Sequence, residues 1–120
     1  METRPLVHEM TRMLEDLQVI PALDRFYDKN IEVSALGPEE KLRSGKSAGF
    51  KIVLDWFVNC LLHSVRVEFV AVDGDKAAVE LLMDLTPNGQ ERRLERLVML
   101  QERRDGMIVR LTNYSKRVSG

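Results

Sequence analysis

The chain divides by the period of its apolar positions. Met10, Met13, Leu14 and Leu17 recur at i, i+3, i+4 and i+7, the spacing of one stripe on an amphipathic helix, which predicts a first helix from about Pro5 to Leu17. Pro21 suits a first helical turn because its missing N–H would have no partner there. A short second helix is therefore expected to start near it, carry Leu23, Phe26 and Tyr27, and stop near Asp28. Ile31, Val33 and Ala35 alternate with Glu32 and Ser34, as a short strand would, until Gly37-Pro38 breaks it. Residues 39–45 are polar and read as a loop. Ser44 or Ser47 then stands where a hydroxyl can cap a third helix reaching about Asn59. Lys51, Asp55 and Asn59 form a narrow wet stripe on that helix, and the apolar girth of the remainder predicts that it is largely buried.

Beyond it the period changes to two. Val65, Val67, Phe69 and Ala71 alternate with Arg66 and Glu68 up to the turn Asp73-Gly74-Asp75. From Lys76 to Thr86, Val79, Leu81, Met83 and Leu85 share one face, with Glu80 and Asp84 on the other. Asn88-Gly89 is the pair favoured by a two-residue type I′ hairpin, which would set Val79 across from Val98 and Asp84 across from Arg93. That register places Leu94, Arg96, Val98 and Leu100 on the apolar face. Residues 90–104 are also rich in good helix formers, and the flanking turn pairs decide for a strand. A last strand after Asp105-Gly106 runs from Met107 to about Ser115, with Met107, Val109 and Leu111 on one face. The order predicts an α+β fold: three N-terminal helices on a curved, mostly antiparallel sheet, a single domain over residues 1–120 that encloses a pocket.

Charge narrows the partners. Eighteen basic and nineteen acidic residues are finely mixed, for a net charge of −1, so no broad positive surface for nucleic acid or an anionic membrane is expected. No apolar stretch approaches the ~20 residues of a membrane span, and the opening Met-Glu-Thr-Arg-Pro lacks the apolar core of a leader, so a cytoplasmic protein is expected. Cys60, the sole cysteine, sits among Phe57, Val58, Leu61 and Leu62 and reads as an inert buried thiol that fits a reducing compartment. The two histidines are far apart with no accompanying Cys or acidic spacing, so neither a metal nor another cofactor is expected. Gly45-Lys46-Ser47 is like the end of a phosphate-binding loop, but Glu40 occupies the position of its first glycine and no strand precedes it, which excludes that reading.

Several segments together carry a resemblance. Leu23-Asp24-Arg25-Phe26-Tyr27-Asp28 leads into the first strand, Gly45-Lys46 precedes the third helix, and Val72-Asp73-Gly74-Asp75 and Asp105-Gly106-Met107-Ile108 separate later strands. In these the chain resembles, over nearly its whole length, the nuclear transport factor 2-like superfamily, which includes ketosteroid isomerases and SnoaL-like polyketide cyclases, and the resemblance implies the cone-shaped fold of that superfamily. The resemblance implies a small-molecule-binding SnoaL-like protein with a homodimer formed through the outer face of the sheet. It further implies an isomerase, cyclase or dehydratase-like activity on a small, mainly apolar carbonyl or carboxylate compound. The catalytic residues of the isomerases do not carry over. Ser34 or Ala35 stands where the base would be, and Thr11 and Val98 or Met99 stand where the oxyanion donors would be. The inward face, read in this register, shows no candidate pocket acid, so a non-catalytic binding or dimerisation module is the alternative.

Five residues are candidates for a site. His63 shares the parity of Val65 and Val67 and would aim at the pocket mouth, as a general base or as a histidine bonded to backbone or water. Arg96, placed by the hairpin register among Leu81, Leu94 and Val98, would need an anion, pointing to a small acidic ligand, unless a one-residue bulge turns it to the outer face. Tyr27 and Trp56 would line the cavity or its core, and Asn113 would complete hydrogen bonds to a ligand. The same register predicts a dimer patch of Glu80, Leu82, Asp84, Arg93, Glu95 and Leu97.

Overall fold

The computed structural model describes residues 2–36 and 41–119; the expected break at Gly37-Pro38 lies outside the described residues. Helix α1 (Thr3–Glu15) buries Val7, Met10, Thr11 and Leu14, one stripe at helical spacing. Helix α2 (Val19–Phe26) contains Pro21 in its first turn and runs directly into strand β1 (Tyr27–Leu36), four residues earlier than the alternation predicted, because Tyr27 already pairs with the last strand. Strand β2 (Lys41–Ser44) pairs antiparallel with β1 where a loop was expected.

Helix α3 (Lys46–Val58) begins at Gly45, whose φ of 93° suits glycine, and no side chain caps it. Gly49 is its one buried residue among those described, and Leu54 and Val58 remain exposed. The expected largely buried helix is thus corrected: α3 lies across the open side of the sheet and turns only one flank inward.

Strands β3 (Cys60–Asp73), β4 (Lys76–Pro87), β5 (Arg93–Arg104) and β6 (Met107–Ser119) complete an open sheet in the order β2-β1-β6-β5-β4-β3. Every pairing among the described residues is antiparallel except β1 with β6. The helices pack on one face, and Val7, Met10, Leu23 and Phe26 meet Ile31, Val79, Leu81 and Leu111 in the core. The α+β architecture agrees with the expectation from the sequence.

The register does not. Val79 pairs with Met99 and Asp84 with Leu94, one residue away from the predicted partners. The turn explains the shift. Gln90 N–H donates to the Pro87 carbonyl (3.0 Å), and of the two central residues only Gly89 has positive φ (72°). A type I′ turn requires positive φ at both, so the reversal is of another type, and β5 does not begin until Arg93. A one-residue slip moves every side chain to the opposite face. Glu95, Leu97, Met99, Gln101 and Arg103 face the helices, while Leu94, Arg96, Val98 and Leu100 face outward.

Bulges reverse parity elsewhere. The β3–β4 register shifts between Leu62 and Ser64 and again between Val67 and Phe69, leaving Phe69 55% exposed on the outer face. In β6 the extra residue is Val109, so Ile108 and Leu111 are the fully buried pair instead of the expected Met107, Val109 and Leu111.

Candidate functional site

A cavity of about 210 Å³ lies between the helices and the inner face of the sheet. Leu14 and Leu23 close its base, Ile52, Val53, Trp56 and Phe57 of α3 form one wall, and Leu62, Leu81, Met83, Leu97 and Met99 form the other. Four polar residues interrupt this apolar lining: Tyr27, Glu95, Asn113 and Ser115.

Glu95 is the only carboxylate on that wall among the described residues. Arg93, two residues earlier and hence on the same face, donates from Nε (2.9 Å) and Nη2 (2.6 Å) to its Oε1. The two side chains are 19% and 15% exposed, so the pair is shielded from solvent and its geometry is held. Arg93 is itself oriented by the β4–β5 turn, through Nη1 to Gln90 Oε1 at 2.7 Å. Beyond Glu95 a second, more open cavity of about 350 Å³ is bounded by Asn59, Cys60, Asn88, Gln90 and Arg93, and Trp56 and Glu95 belong to both.

Electrostatics sort the neighbouring groups. Burial pushes the Tyr27 phenol well above its usual range, so it stays protonated; its ring meets Phe50 edge-on with centroids 6.0 Å apart. Burial also raises the Cys60 thiol, Glu95 adds to that, and Arg93 opposes it. Asn113 Oδ1 is sealed from solvent and has no hydrogen-bond partner among the described residues.

Tyr27, Trp56 and Asn113 therefore line the cavity, and two candidates do not. Arg96 faces outward, its Nε 2.7 Å from Glu80 Oε1, because the register slip carried it there. This corrects its placement as the anion-binding residue of the pocket. His63 lies at the bulge in β3, and its Nε2 is 2.7 Å from Thr86 Oγ1 on the outer face, near Asp84. Arg92 hydrogen-bonds to that Asp84 and holds its carboxyl below the usual range, with His63 adding a smaller effect. This corrects the placement of His63 at the pocket mouth. Arg93, Glu95 and Leu97 leave the expected dimer patch for the interior by the same slip.

The inner face holds what sequence reading missed: Glu95 is the pocket acid that no inward position had offered. The signal was an Arg and a Glu two apart, which pair on a strand only when both share a face. The buried cation also exists, as Arg103 at 2% exposure. Its Nε and Nη2 donate to Gln101 Oε1 (3.0 and 2.9 Å), Nη1 donates to the Gly106 carbonyl (3.1 Å), and the guanidinium carbon sits 5.1 Å from the Phe26 ring centroid. Burial lowers its pKa to about 10. Among the described residues no three His, Cys, Asp or Glu side chains are grouped to hold a metal, and no helix is long and apolar enough to cross a membrane.

The sequence profile of the SnoaL-like domain matches residues 7–111. The chain belongs to the SnoaL-like family. Among solved structures, this SnoaL-like chain is similar to a candidate SnoaL-like polyketide cyclase of Mesorhizobium loti, at 25% identity over 95% of this chain and 99% of that one, with a TM-score of 0.86. It shares its fold with a candidate isomerase of Bacillus subtilis (20% identity, 97% and 90% covered, TM-score 0.80). It shares it also with a candidate ketosteroid isomerase of Kribbella flavida (17%, 97% and 78%, TM-score 0.73). No curated protein matches this SnoaL-like sequence.

Proposed function

We propose that the chain binds a small, mainly apolar carbonyl compound in the cavity and moves a proton on it with Glu95, as an isomerase or cyclase does. The observation that carries this reading is a carboxylate, the only one among the described lining residues, set in a mainly apolar cavity and oriented by Arg93. Such a carboxylate can take a proton from the carbon beside a carbonyl and return it elsewhere, which is general base catalysis worth about 10²–10⁴-fold. Tyr27, kept protonated by burial, is a neutral donor in the same wall. Family membership and the names of the similar structures support the reaction class. Volume supports the scale: a cavity of about 150 Å³ holds benzene, so one ring or a short chain fits here and a four-ring skeleton does not.

The test uses cyclohex-3-enone, a single-ring ketone whose conjugation is followed by ultraviolet absorbance. The expected result is turnover by the wild type and a loss of about 10²-fold or more in Glu95→Gln, with binding retained. Binding without turnover in the wild type would move the reading to the non-catalytic module.

A homodimer through the outer sheet face is proposed with its corrected residues. Phe69, Leu100 and Tyr114 are exposed there, Glu80 and Val98 stand between Phe69 and Tyr114 in one cross-strand row, and Leu82 and Arg96 pair in the next, so the Glu80–Arg96 ion pair is set within a mainly apolar patch. A single free cysteine supports a reducing, cytoplasmic location.

A further inference from the structure

The two cavities differ in chemistry and adjoin at Trp56 and Glu95, which stand in the walls of both. The inner one is walled almost wholly by aliphatic and aromatic side chains, whereas the outer one adds the amides of Asn59, Asn88 and Gln90 and the Arg93 guanidinium to Cys60, Leu85 and Pro87. We propose that the outer cavity is a subsite for the hydroxylated, uncharged half of an amphipathic ligand whose apolar ring fills the inner cavity.

The shared wall decides against charge. Arg93 and Glu95 neutralise each other at 2.6 Å, so an anionic ligand would have to draw Arg93 from Glu95, and a cationic one would have to draw Glu95 from Arg93. Either leaves one shielded charge without its partner. A hydroxyl disturbs neither, because it donates and accepts at once, and the rim amides do the same. Trp56 presents an apolar surface at the junction, where the ligand changes from ring to polar chain. Asn113 adds a polar amide at the inner end, where its Oδ1 has no hydrogen-bond partner among the described residues. The expectation of an acidic ligand rested on Arg96, and the outward turn of that residue removes its basis.

This inference rests on the cavity being the binding site, and the experiment separates the two. Four probes of similar length are titrated against the full chain by calorimetry: propylbenzene, 3-phenylpropane-1,2-diol, 3-phenylpropanoate and 3-phenylpropylamine. The diol is expected to bind about 3- to 10-fold more tightly than propylbenzene, and more tightly than either charged probe. Asn88→Ala is expected to reduce the diol's advantage while leaving propylbenzene unchanged. Asn88 is exposed at the turn, so the fold is not at stake, and propylbenzene binding reports on it. Equal affinity for diol and propylbenzene, a preference for the carboxylate or the amine, or an equal loss of both neutral probes in the Asn88→Ala variant overturns the subsite and leaves the cavity reading standing. Failure of all four probes to bind the wild type overturns both.

Discussion

Arg103 and Gln101 are expected to behave as one unit whose removal costs less than the removal of either member. Arg103 is buried with neutral acceptors around its guanidinium: Gln101 Oε1 takes two of its N–H groups, the Gly106 carbonyl one, and Met10 Sδ lies 3.3 Å from Nη2. Gln101→Leu leaves the shielded cation with Nε unpaired and Nη2 with only the weak acceptor Met10 Sδ, a loss of about 3–5 kcal/mol by analogy with breaking a buried ion pair. Arg103→Met removes the charge but strands the acceptors at Gln101 and Gly106, each worth about 1–3 kcal/mol. Release of the desolvation that lowers its pKa to about 10 offsets part of this, so a net loss of about 1–2 kcal/mol is expected. The double variant replaces both partners with apolar groups of similar reach and is expected to lie within about 1 kcal/mol of the wild type. The coupling therefore exceeds about 2 kcal/mol. Urea unfolding of the four chains, followed by Trp56 fluorescence, measures it. Below about pH 10 the guanidinium is protonated both folded and unfolded, so the coupling should be equal at about pH 6 and about pH 8. Single-variant losses that add to within about 0.5 kcal/mol would refute the shared-contact account.

Leu100→Glu, on the outer face, should convert a dimer to a monomer in light scattering at high micromolar concentration; a wild type that is already monomeric there ends the dimer proposal. Gly49→Ala should lower stability by about 1 kcal/mol, near 4 °C in Tm, because an added Cβ stands 3.2 Å from both Tyr27 Cε2 and Val33 Cγ2, and that crowding outweighs the helix-propensity gain of about 1 kcal/mol; a rise in Tm would show that β1 yields at this contact. The Cys60 thiol, raised by burial and by Glu95, should be alkylated slowly at neutral pH, with a pH–rate midpoint above the ordinary thiol value, and Glu95→Gln should move that midpoint down; an unchanged midpoint would mean that Glu95 is electrostatically remote from the sulfur.

The elements were legible because each obeys its own period. Met10 and Leu14 mark a helical stripe, and Val79 to Leu85 mark a strand with one buried face. Parity was less legible, since a bulge has no signature in alternation: the extra residues at His63, Glu68 and Val109 look like any others, and each reverses the parity of the strand beyond it. In β5 the pattern itself misled. Leu94, Val98 and Leu100 are apolar on the outer face, Leu97 and Met99 on the inner one, so either register buries an apolar stripe. The choice fell to one turn, and the absence of positive φ at Asn88 decided it. The reasoning that an enclosed arginine needs partners was sound chemistry applied to Arg96, when the enclosed ones are Arg93 and Arg103.

The parallel pairing of β1 with β6 has a consequence for how the chain is made. β6 sits in the interior of the sheet, between β1 and β5, although it is the last strand to be synthesised. At about 5–20 residues per second, roughly 5–15 s separate translation of Tyr27 from that of Ile108, its partner. During that interval the edge of β1 that β6 will cover stays unpaired, and Ile31 and Val33 are not yet sealed from solvent. Nascent chains of this protein should therefore depend on holdase chaperones until residues 107–119 clear the ribosome, and ribosome-stalled chains ending before Met107 should be protease-sensitive throughout the sheet.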